Sequence, residues 1–594
     1  MRSLRSLLSP AKGAKSVDPE SQATTLNSSE TPTVVQAENE KTDEKTAPFE
    51  ATRSADDSGH EQAVSNLATK SEKEEERGNG DDDEDREYPR GLPLVIVSAG
   101  LCLAVLLVAL DNTIIATATP RITDQFQSLD SVGWYASAYL LTACSFPLIF
   151  GKLYTFFPIK WVFLMAITIF EVGSAVCGAA PSSPALIVGR AIAGLGAAGI
   201  FSGGLIIVAY SVPLHQRPLY NALFGSMYGI ASVVGPLLGG AFTDHVTWRW
   251  CFYINLPIGG FTIFAILIFL KPPKQTLVAS SWKEKLNQFD PIGTAVFIPA
   301  IVCLLLALQW GGTKYAWSNG RIIALFVLFG VLIIVFIGIQ VWKGEYATVP
   351  LRIVRQRSVA FAALFAFLLG SSFFVIVYFV PIWFQAIKGV SATKSGIMCI
   401  PMVLSMVVFS LIGGGTVTAL GYYVPLFYLS AVLASIGVGL LTTFTTTSGH
   451  PQWIGYQVIY GAGVGIGFQL PIIATQVVLK TEDVAVGTAI IMFCQSLGGA
   501  LFASVAQNIF SNRLMTGVVK AAPGVDPSIV LHVGATELAD AIPRKFLDGV
   551  QEAYNSALTH TWYVSVALSA LSIVGAMGME WKSVKGKQLT AMAA

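Results

Sequence analysis

Residues 93–117 read PLVIVSAGLCLAVLLVALDNTIIAT, and this stretch decides the fold. A run of about 20 apolar residues is long enough for one helix to cross a hydrocarbon core of about 30 Å. Asp111 interrupts the run about two thirds of the way along it. The stretch therefore predicts a membrane-spanning helix that carries a carboxyl group.

The same pattern recurs along the chain and predicts an all-α, polytopic membrane protein with about 14 transmembrane helices. We place the spans near 93–117, 132–151, 161–180, 185–209, 219–241, 251–270, 291–310, 321–342, 359–382, 395–415, 424–445, 453–478, 485–508 and 559–579.

Composition agrees with a membrane protein and excludes several other classes. Of 594 residues, 53% are hydrophobic and 13% are charged, against about 25% charged residues in soluble domains. A net charge of +1 gives no basic surface for nucleic acid. The seven cysteines stand singly in apolar runs, so we expect no metal site and no cofactor.

The amino-terminal segment differs from the rest of the chain. Residues 1–90 are rich in Ser, Thr, Glu, Lys and Asp and have no periodic apolar face, which predicts a disordered cytoplasmic tail. Four basic residues before Asp18 leave an organelle presequence as an alternative. A second polar segment, 511–558, is predicted to be an external loop with a cap-like helix at 536–554, whose apolar stripe is Leu538, Ile542, Phe546 and Val550.

Basic residues predict the orientation of the chain. An even number of spans puts both termini on one side, and Lys and Arg are enriched in short cytoplasmic loops. The loops on the side of the termini contain Lys152, Lys160, Arg217, Lys271, Lys274, Lys283, Lys285, Lys343, Arg352, Arg355, Arg357, Lys480, Lys582, Lys585 and Lys587. The opposite short loops contain Arg121, Arg249, Lys314, Arg321, Lys388 and Lys394. Both termini are therefore predicted to be cytoplasmic.

Three ionisable residues lie within predicted spans: Asp111, Glu171 and Arg190. A charge in mid-span costs at least about 2.5–3.5 kcal/mol unless it faces a cavity or a partner. Loss of water favours the protonated form of a carboxyl group, and a nearby cation favours the ionised form. These residues are thus candidates for proton coupling, although a buried structural contact is the alternative, most of all for Glu171.

A glycine and proline motif lies in the fifth span. Gly235, Pro236, Gly239 and Gly240 allow close helix packing and a bend, so we predict a conformational hinge or packing site there. Gly194 to Gly199 match the pattern GxGxxG, but they lie inside an apolar span and so do not predict dinucleotide binding. No GxxxxGK[ST] motif occurs, which argues against a self-contained ATP-driven pump and leaves a separate ATPase subunit as an alternative. No HExxH or GxSxG motif occurs either, which argues against an enzyme.

Several of these motifs resemble the major facilitator superfamily, and specifically its fourteen-span drug:proton antiporters of fungal toxin-efflux type. The resemblance rests on residues 110–120 (LDNTIIATATP), 186–198 around Arg190, 231–240 (ASVVGPLLGG) and 248–257 (WRWCFYINLP). The sequence departs from the family at Thr155 and Phe156, where an acid and a base are expected, and at Ala193, where glutamine is usual.

The resemblance implies two six-helix bundles, at 91–271 and 358–581, with two inserted spans in 272–357 and a cytoplasmic tail at 582–594. It also implies a monomeric, proton-coupled transporter that exports small, mostly apolar molecules, such as toxins, secondary metabolites or drugs, by alternating access. The residues of the substrate cavity stay unknown. The expected location is the cell membrane, with a vacuolar or vesicle membrane as the alternative. An importer of siderophores or nutrients, a receptor or scaffold, and an intramembrane enzyme are competing hypotheses.

Overall fold

The computed structural model describes residues 89, 91–126, 132–270, 289–312, 314–527, 530, 538 and 542–585. The predicted amino-terminal tail and most of the carboxy-terminal tail lie outside these residues. Five of the basic residues used to predict the orientation also lie outside them: Lys271, Lys274, Lys283, Lys285 and Lys587.

The first half of the described chain is a series of helices. They are α1 (Leu92–Phe126), α2 (Val132–Ser145), α3 (Pro147–Phe156), α4 (Ile159–Ala179), α5 (Ser183–Ser211), α6 (Arg217–His245), α7 (Trp250–Tyr253) and α8 (Asn255–Phe269). Two more helices follow, α9 (Pro291–Trp310) and α10 (Gly320–Lys343). We call α9 and α10 the inserted pair.

The second half is helical as well. Its helices are α11 (Leu351–Arg355), α12 (Arg357–Lys388), α13 (Ala392–Met398), α14 (Ile400–Leu420), α15 (Val424–Leu441), α16 (His450–Gly467), α17 (Leu470–Val478), α18 (Val484–Ala521) and α19 (Arg544–Met577).

The number of spans agrees with the prediction. Thirteen helices of the described residues are long and apolar enough to cross a membrane, and the pair α2–α3, bent by 42°, makes a fourteenth. The bend lies at Pro147, whose ring cannot donate the backbone hydrogen bond that a continuous helix requires. The expected all-α fold of about 14 spans is therefore confirmed.

The helices form two bundles of six spans with the inserted pair beside them. In the first bundle α4 packs along α5, and α1 packs along α6. In the second, α14 and α15 pack on α16, while α12 packs on α18 and α19. The bundles meet mainly where α6 packs on α14 and where α3 packs on α18. The inserted α9 touches α2 in the first bundle and α18 in the second.

We call the membrane side where α1 begins and α19 ends the tail face. The two bundles are in close contact there. A Cβ atom added to Gly151 of α3 would lie 2.6 Å from the Cβ of Ala489 in α18, closer than real Cβ atoms approach. The Tyr210 hydroxyl at the end of α5 donates to the Thr481 carbonyl, 3.2 Å away, just before α18. The tail face is therefore closed along this contact.

The last two spans extend well beyond the opposite face. Helix α18 continues to Ala521, and α19 starts at Arg544. The main apolar core of the protein continues along them and includes the buried residues Leu514, Val518, Leu538, Ile542, Val550 and Tyr554. The predicted loop, 511–558, is therefore longer than the segment that separates the two helices. The last part of the predicted cap-like helix, 536–554, is continuous with the final span. The core explains the difference, because packing of one helix on the other stabilises turns that hydropathy alone does not predict.

Candidate functional site

Asp111 of α1 and Arg190 of α5 form an ion pair inside the first bundle. Both side chains are 0% exposed, and the Nη1 atom of Arg190 donates to Oδ2 of Asp111. The Nε atom of Arg190 donates to the Tyr135 carbonyl, 2.9 Å away. The guanidinium also lies over the Tyr139 ring, 4.4 Å from its centroid. The structure thus brings together two of the three predicted ionisable residues.

Small residues let Arg190 reach this position. One turn after it, a Cβ atom added to Gly194 would lie 2.3 Å from the Tyr139 carbonyl oxygen, so α5 and α2 approach each other closely. On the other side of α5, a Cβ atom added to Gly173 would lie 2.3 Å from the Ala193 backbone nitrogen. Ala193, where the family usually has glutamine, is therefore packed directly on α4 and is buried.

Asn255, the first residue of α8, completes the cluster. Its amide nitrogen donates to Oδ1 of Asp111 at 3.2 Å and to the Ser174 hydroxyl at 3.1 Å. Asp111 therefore accepts hydrogen bonds from two donors, an arrangement suited to an ionised carboxylate. Asn255 and Ser174 are not among the proton-coupling residues predicted from the sequence, all of which are charged. The signal that could have indicated Asn255 is its polar amide inside the stretch 248–257.

Glu171 of α4 lies near this cluster without joining it. Its side chain is 9% exposed, and neither carboxylate oxygen has a hydrogen-bond partner among the described residues. The carboxylate lies against α8, because a Cβ atom added to Gly259 would fall 1.7 Å from Oε1. Ser174, one turn further along α4, does bond to Asn255. Glu171 and the ion pair therefore face the same short stretch of α8.

The glycine and proline motif of α6 contacts two neighbours, α1 and the second bundle. Cβ atoms added to Gly235 and Gly239 would lie 2.1 and 2.2 Å from the Thr113 and Thr117 hydroxyl oxygens of α1. The motif thus packs α6 tightly on α1 beside Asp111.

The other two motif residues face the second bundle. The Cβ atom of Pro236 is 3.9 Å from a Cβ atom added to Gly396, and a Cβ atom added to Gly240 would lie 3.7 Å from the Thr393 hydroxyl. These are ordinary contacts rather than close approaches. The motif therefore connects the surroundings of Asp111 with the interface between the bundles.

The described residues contain no group of three or more His, Cys, Asp or Glu side chains that could hold a metal ion. What the site offers is one carboxyl group with a fixed cation, one amide donor and a second carboxyl group nearby. Such a set can bind and release protons, and the resulting change of charge can alter how α1, α5 and α8 hold together.

Comparisons with known proteins agree with this fold. The family model of the Major Facilitator Superfamily matches residues 101–503. A protein of Trichophyton rubrum named MFS-type efflux pump MFS1 is 68% identical over 505 residues, which are 85% of this chain and 94% of that protein. Efflux pump aflT of Aspergillus parasiticus is 54% identical over 498 residues, 83% of this chain and 97% of that protein.

Among solved structures, the proton:xylose symporter XylE covers 83% of this chain and 98% of its own, with a TM-score of 0.53 and 15% identity. At that identity the likeness concerns the fold alone. The family model covers well over half of the chain, and the relatives are aligned over most of their length. The chain belongs to the major facilitator superfamily of membrane transporters.

Proposed function

We propose that this transporter exports small, mostly apolar molecules in exchange for protons. Asp111, Arg190 and Glu171 are the proton-coupling residues, and Gly235, Pro236, Gly239 and Gly240 form the packing hinge. The observation that carries the proposal is the ion pair between Asp111 and Arg190, which is completely buried and is held by Asn255.

The energy of this pair suits a proton-driven step. A proton on Asp111 removes the negative charge and leaves Arg190 buried without a counter-ion. Breaking a buried pair in this way costs about 3–5 kcal/mol. One proton that crosses about 100 mV releases about 2.3 kcal/mol, and a difference of about one pH unit adds about 1.4 kcal/mol. The cost of breaking the pair and the free energy that one proton releases on crossing the membrane are thus of similar size.

The free energy of the proton gradient is also sufficient to drive export. Taken together, the two contributions sustain a concentration ratio of roughly several hundred for a neutral substrate. Two relatives carry the words efflux pump in their names, which supports the outward direction. The alternative is an importer of siderophores or nutrients with the same fold.

The orientation follows from the basic residues of the short loops, which favour a cytoplasmic tail face. Ten of these basic residues lie within the described part of the chain: Lys152, Lys160, Arg217, Lys343, Arg352, Arg355, Arg357, Lys480, Lys582 and Lys585. We propose the cell membrane as the location, with a vacuolar or vesicle membrane as the alternative. A tag before residue 91 should be inaccessible in intact cells, and labelling without permeabilisation would contradict this topology.

Proteoliposomes with an imposed pH gradient test the proposal. A panel of neutral apolar compounds is loaded, and the expected result is uphill movement of at least one compound against the proton flux. The Asp111→Asn variant keeps the shape of the side chain but cannot release a proton, so it should bind a neutral substrate and fail to move it uphill. Movement with the protons would favour the importer, and uphill transport by Asp111→Asn would exclude Asp111 as the essential proton site.

A further inference from the structure

The segment that follows the bend in α2–α3 makes aromatic contacts in place of an ion pair. Phe156 stands where the family has a base, and Phe157 follows it. Both rings pack on Phe289, with ring centroids 5.7 and 5.6 Å apart. Phe289 lies two residues before α9. The first bundle therefore contacts the inserted pair at the position where the usual charged pair is missing.

Asp290, the next residue, fixes the inserted pair at the tail face. It is completely buried and has a backbone φ of 48°, a strained conformation for a residue with a Cβ atom. Its carboxylate accepts hydrogen bonds from the Gly293 amide at 2.9 Å, the Gln340 side chain at 2.8 Å and the Thr348 hydroxyl at 3.0 Å. The start of α9, the end of α10 and the chain leading to α12 are joined at this carboxylate.

Arg352 continues this connection to the second bundle. Its guanidinium binds both carboxylate oxygens of Asp483, at 2.7 and 3.0 Å, immediately before α18 begins. The hydrogen bond to Asp483 raises the pKa of Arg352, so the guanidinium stays charged at physiological pH. The pair is partly exposed, with side chains 53% and 16% accessible, and exposed pairs contribute little alone.

Beneath these polar contacts lies one apolar cluster shared by all three parts of the protein. Its members include Cys144, Leu148 and Ala209 of the first bundle, Phe297, Ile301 and Phe336 of the inserted pair, and Val478, Val484 and Ile490 of the second bundle. The Phe297 ring lies 4.9 Å from Phe336 and 5.2 Å from Phe493 of α18. Parting the bundles at the tail face would separate members of this cluster.

We propose that the inserted pair has a function of its own, which is to hold the tail face closed between the two bundles. Phe289, Asp290, Gln340, Thr348 and Arg352, together with the apolar cluster, act as a latch. The latch joins α3 to α18 through the inserted pair and replaces the ion pair that residues 155 and 156 lack. Its action depends neither on the direction of transport nor on the proton-coupling residues.

The test uses the purified full chain in lipid nanodiscs, without substrate or gradient. Cys144 lies in the apolar cluster and Cys177 near the ion pair, and both are buried. Modification of each by N-ethylmaleimide is followed by mass spectrometry. Phe336→Ala should speed the modification of Cys144 about tenfold and leave the rate for Cys177 unchanged. A tenfold change corresponds to about 1.4 kcal/mol in the equilibrium between closed and open states. Ile337→Ala, on the adjacent and 57% exposed residue, is the matched control and should change neither rate.

Equal rates for Cys144 in both variants would overturn the latch, and so would a parallel rise at Cys177, which indicates general loosening. A second pair of variants tests the same idea at the surface, where folding is less at risk. Arg352→Asp should speed modification of Cys144, and Arg352→Asp combined with Asp483→Arg should restore the slow rate. Failure of the combined change to restore it would show that this ion pair does not close the tail face.

Discussion

The ion pair between Asp111 and Arg190 allows a quantitative test by a double-mutant cycle. Asp111→Asn removes the negative charge with almost no change of shape, and Arg190→Met keeps much of the side-chain length without its charge. Since both native side chains are 0% exposed, each single change leaves one group buried without its partner. We expect each single variant to lose about 3–5 kcal/mol of stability.

The double variant contains neither charge, so it should be less damaged than the sum of the two single variants. We expect a favourable interaction of up to about 3 kcal/mol, at the upper end of the range for contacting residues. In domains of about 150–250 residues 1 kcal/mol shifts Tm by about 2–4 °C, and the shift becomes smaller in a longer chain. The single variants should therefore melt several degrees below wild type, and the double variant should recover a measurable part of that loss.

The melting curve can be recorded with a thiol-reactive fluorophore, because five of the seven cysteines are buried and the other two are half-buried in the folded chain. Thr262→Val is the matched control. Thr262 is buried in α8, and its hydroxyl donates to the Ile258 carbonyl of the same helix, 3.0 Å away. Combined with either single change it should give additive shifts of Tm. If the shifts of Asp111→Asn and Arg190→Met are also additive, the two side chains are not energetically coupled and the assignment of the site fails.

Three further changes separate the roles of the other residues. Arg190→Lys keeps the charge but loses the planar fork of donors, so it should slow pH-driven efflux less than Asp111→Asn or shift its pH optimum; an unchanged rate and optimum in liposomes would argue against a geometric role. Pro236→Ala restores a backbone donor inside α6 and should impair transport rate more than equilibrium binding; equal losses would speak against a hinge. Glu171→Gln should reduce pH-driven efflux while Tm stays the same or rises, because an unpaired buried carboxylate becomes a neutral amide; efflux at the wild-type rate would remove Glu171 from the coupling residues.

Hydropathy was sufficient to predict the spans, because each must match the thickness of the bilayer whatever its neighbours are. Charge inside a span was equally informative for Asp111 and Arg190, which the structure joins. Asn255, which donates a hydrogen bond to Asp111, was not predicted. An amide in an apolar run is only mildly unfavourable, and its role depends on how two other helices pack against it. Glu171 is the reverse case. Its charge inside a span is evident from the sequence, but its position relative to Asp111 depends on how the helices pack.

The polar segment after span thirteen was predicted less well for a related reason. Amphipathic periodicity indicated helix around Ile542 and Val550, but periodicity cannot say whether such a helix is separate or continuous with the following span. The role of the inserted pair was also beyond sequence reasoning. Thr155 and Phe156 showed only that a charged pair is missing, and the compensating contacts come from Phe289 and Asp290, more than 100 residues away along the chain.

The length of α18 and α19 has a practical consequence for imaging. With 38 residues α18 is about 57 Å long, against about 30 Å of hydrocarbon, so the paired ends of α18 and α19 form a post that projects past the hydrocarbon. The backbones touch along this post, since a Cβ atom added to Gly549 would lie 2.3 Å from the Ala521 carbonyl oxygen. Particles of a transporter buried almost entirely in a micelle are hard to orient in electron cryo-microscopy. An antibody fragment that grips this post would be held rigidly to the second bundle, and its angle to the micelle would report how that bundle tilts.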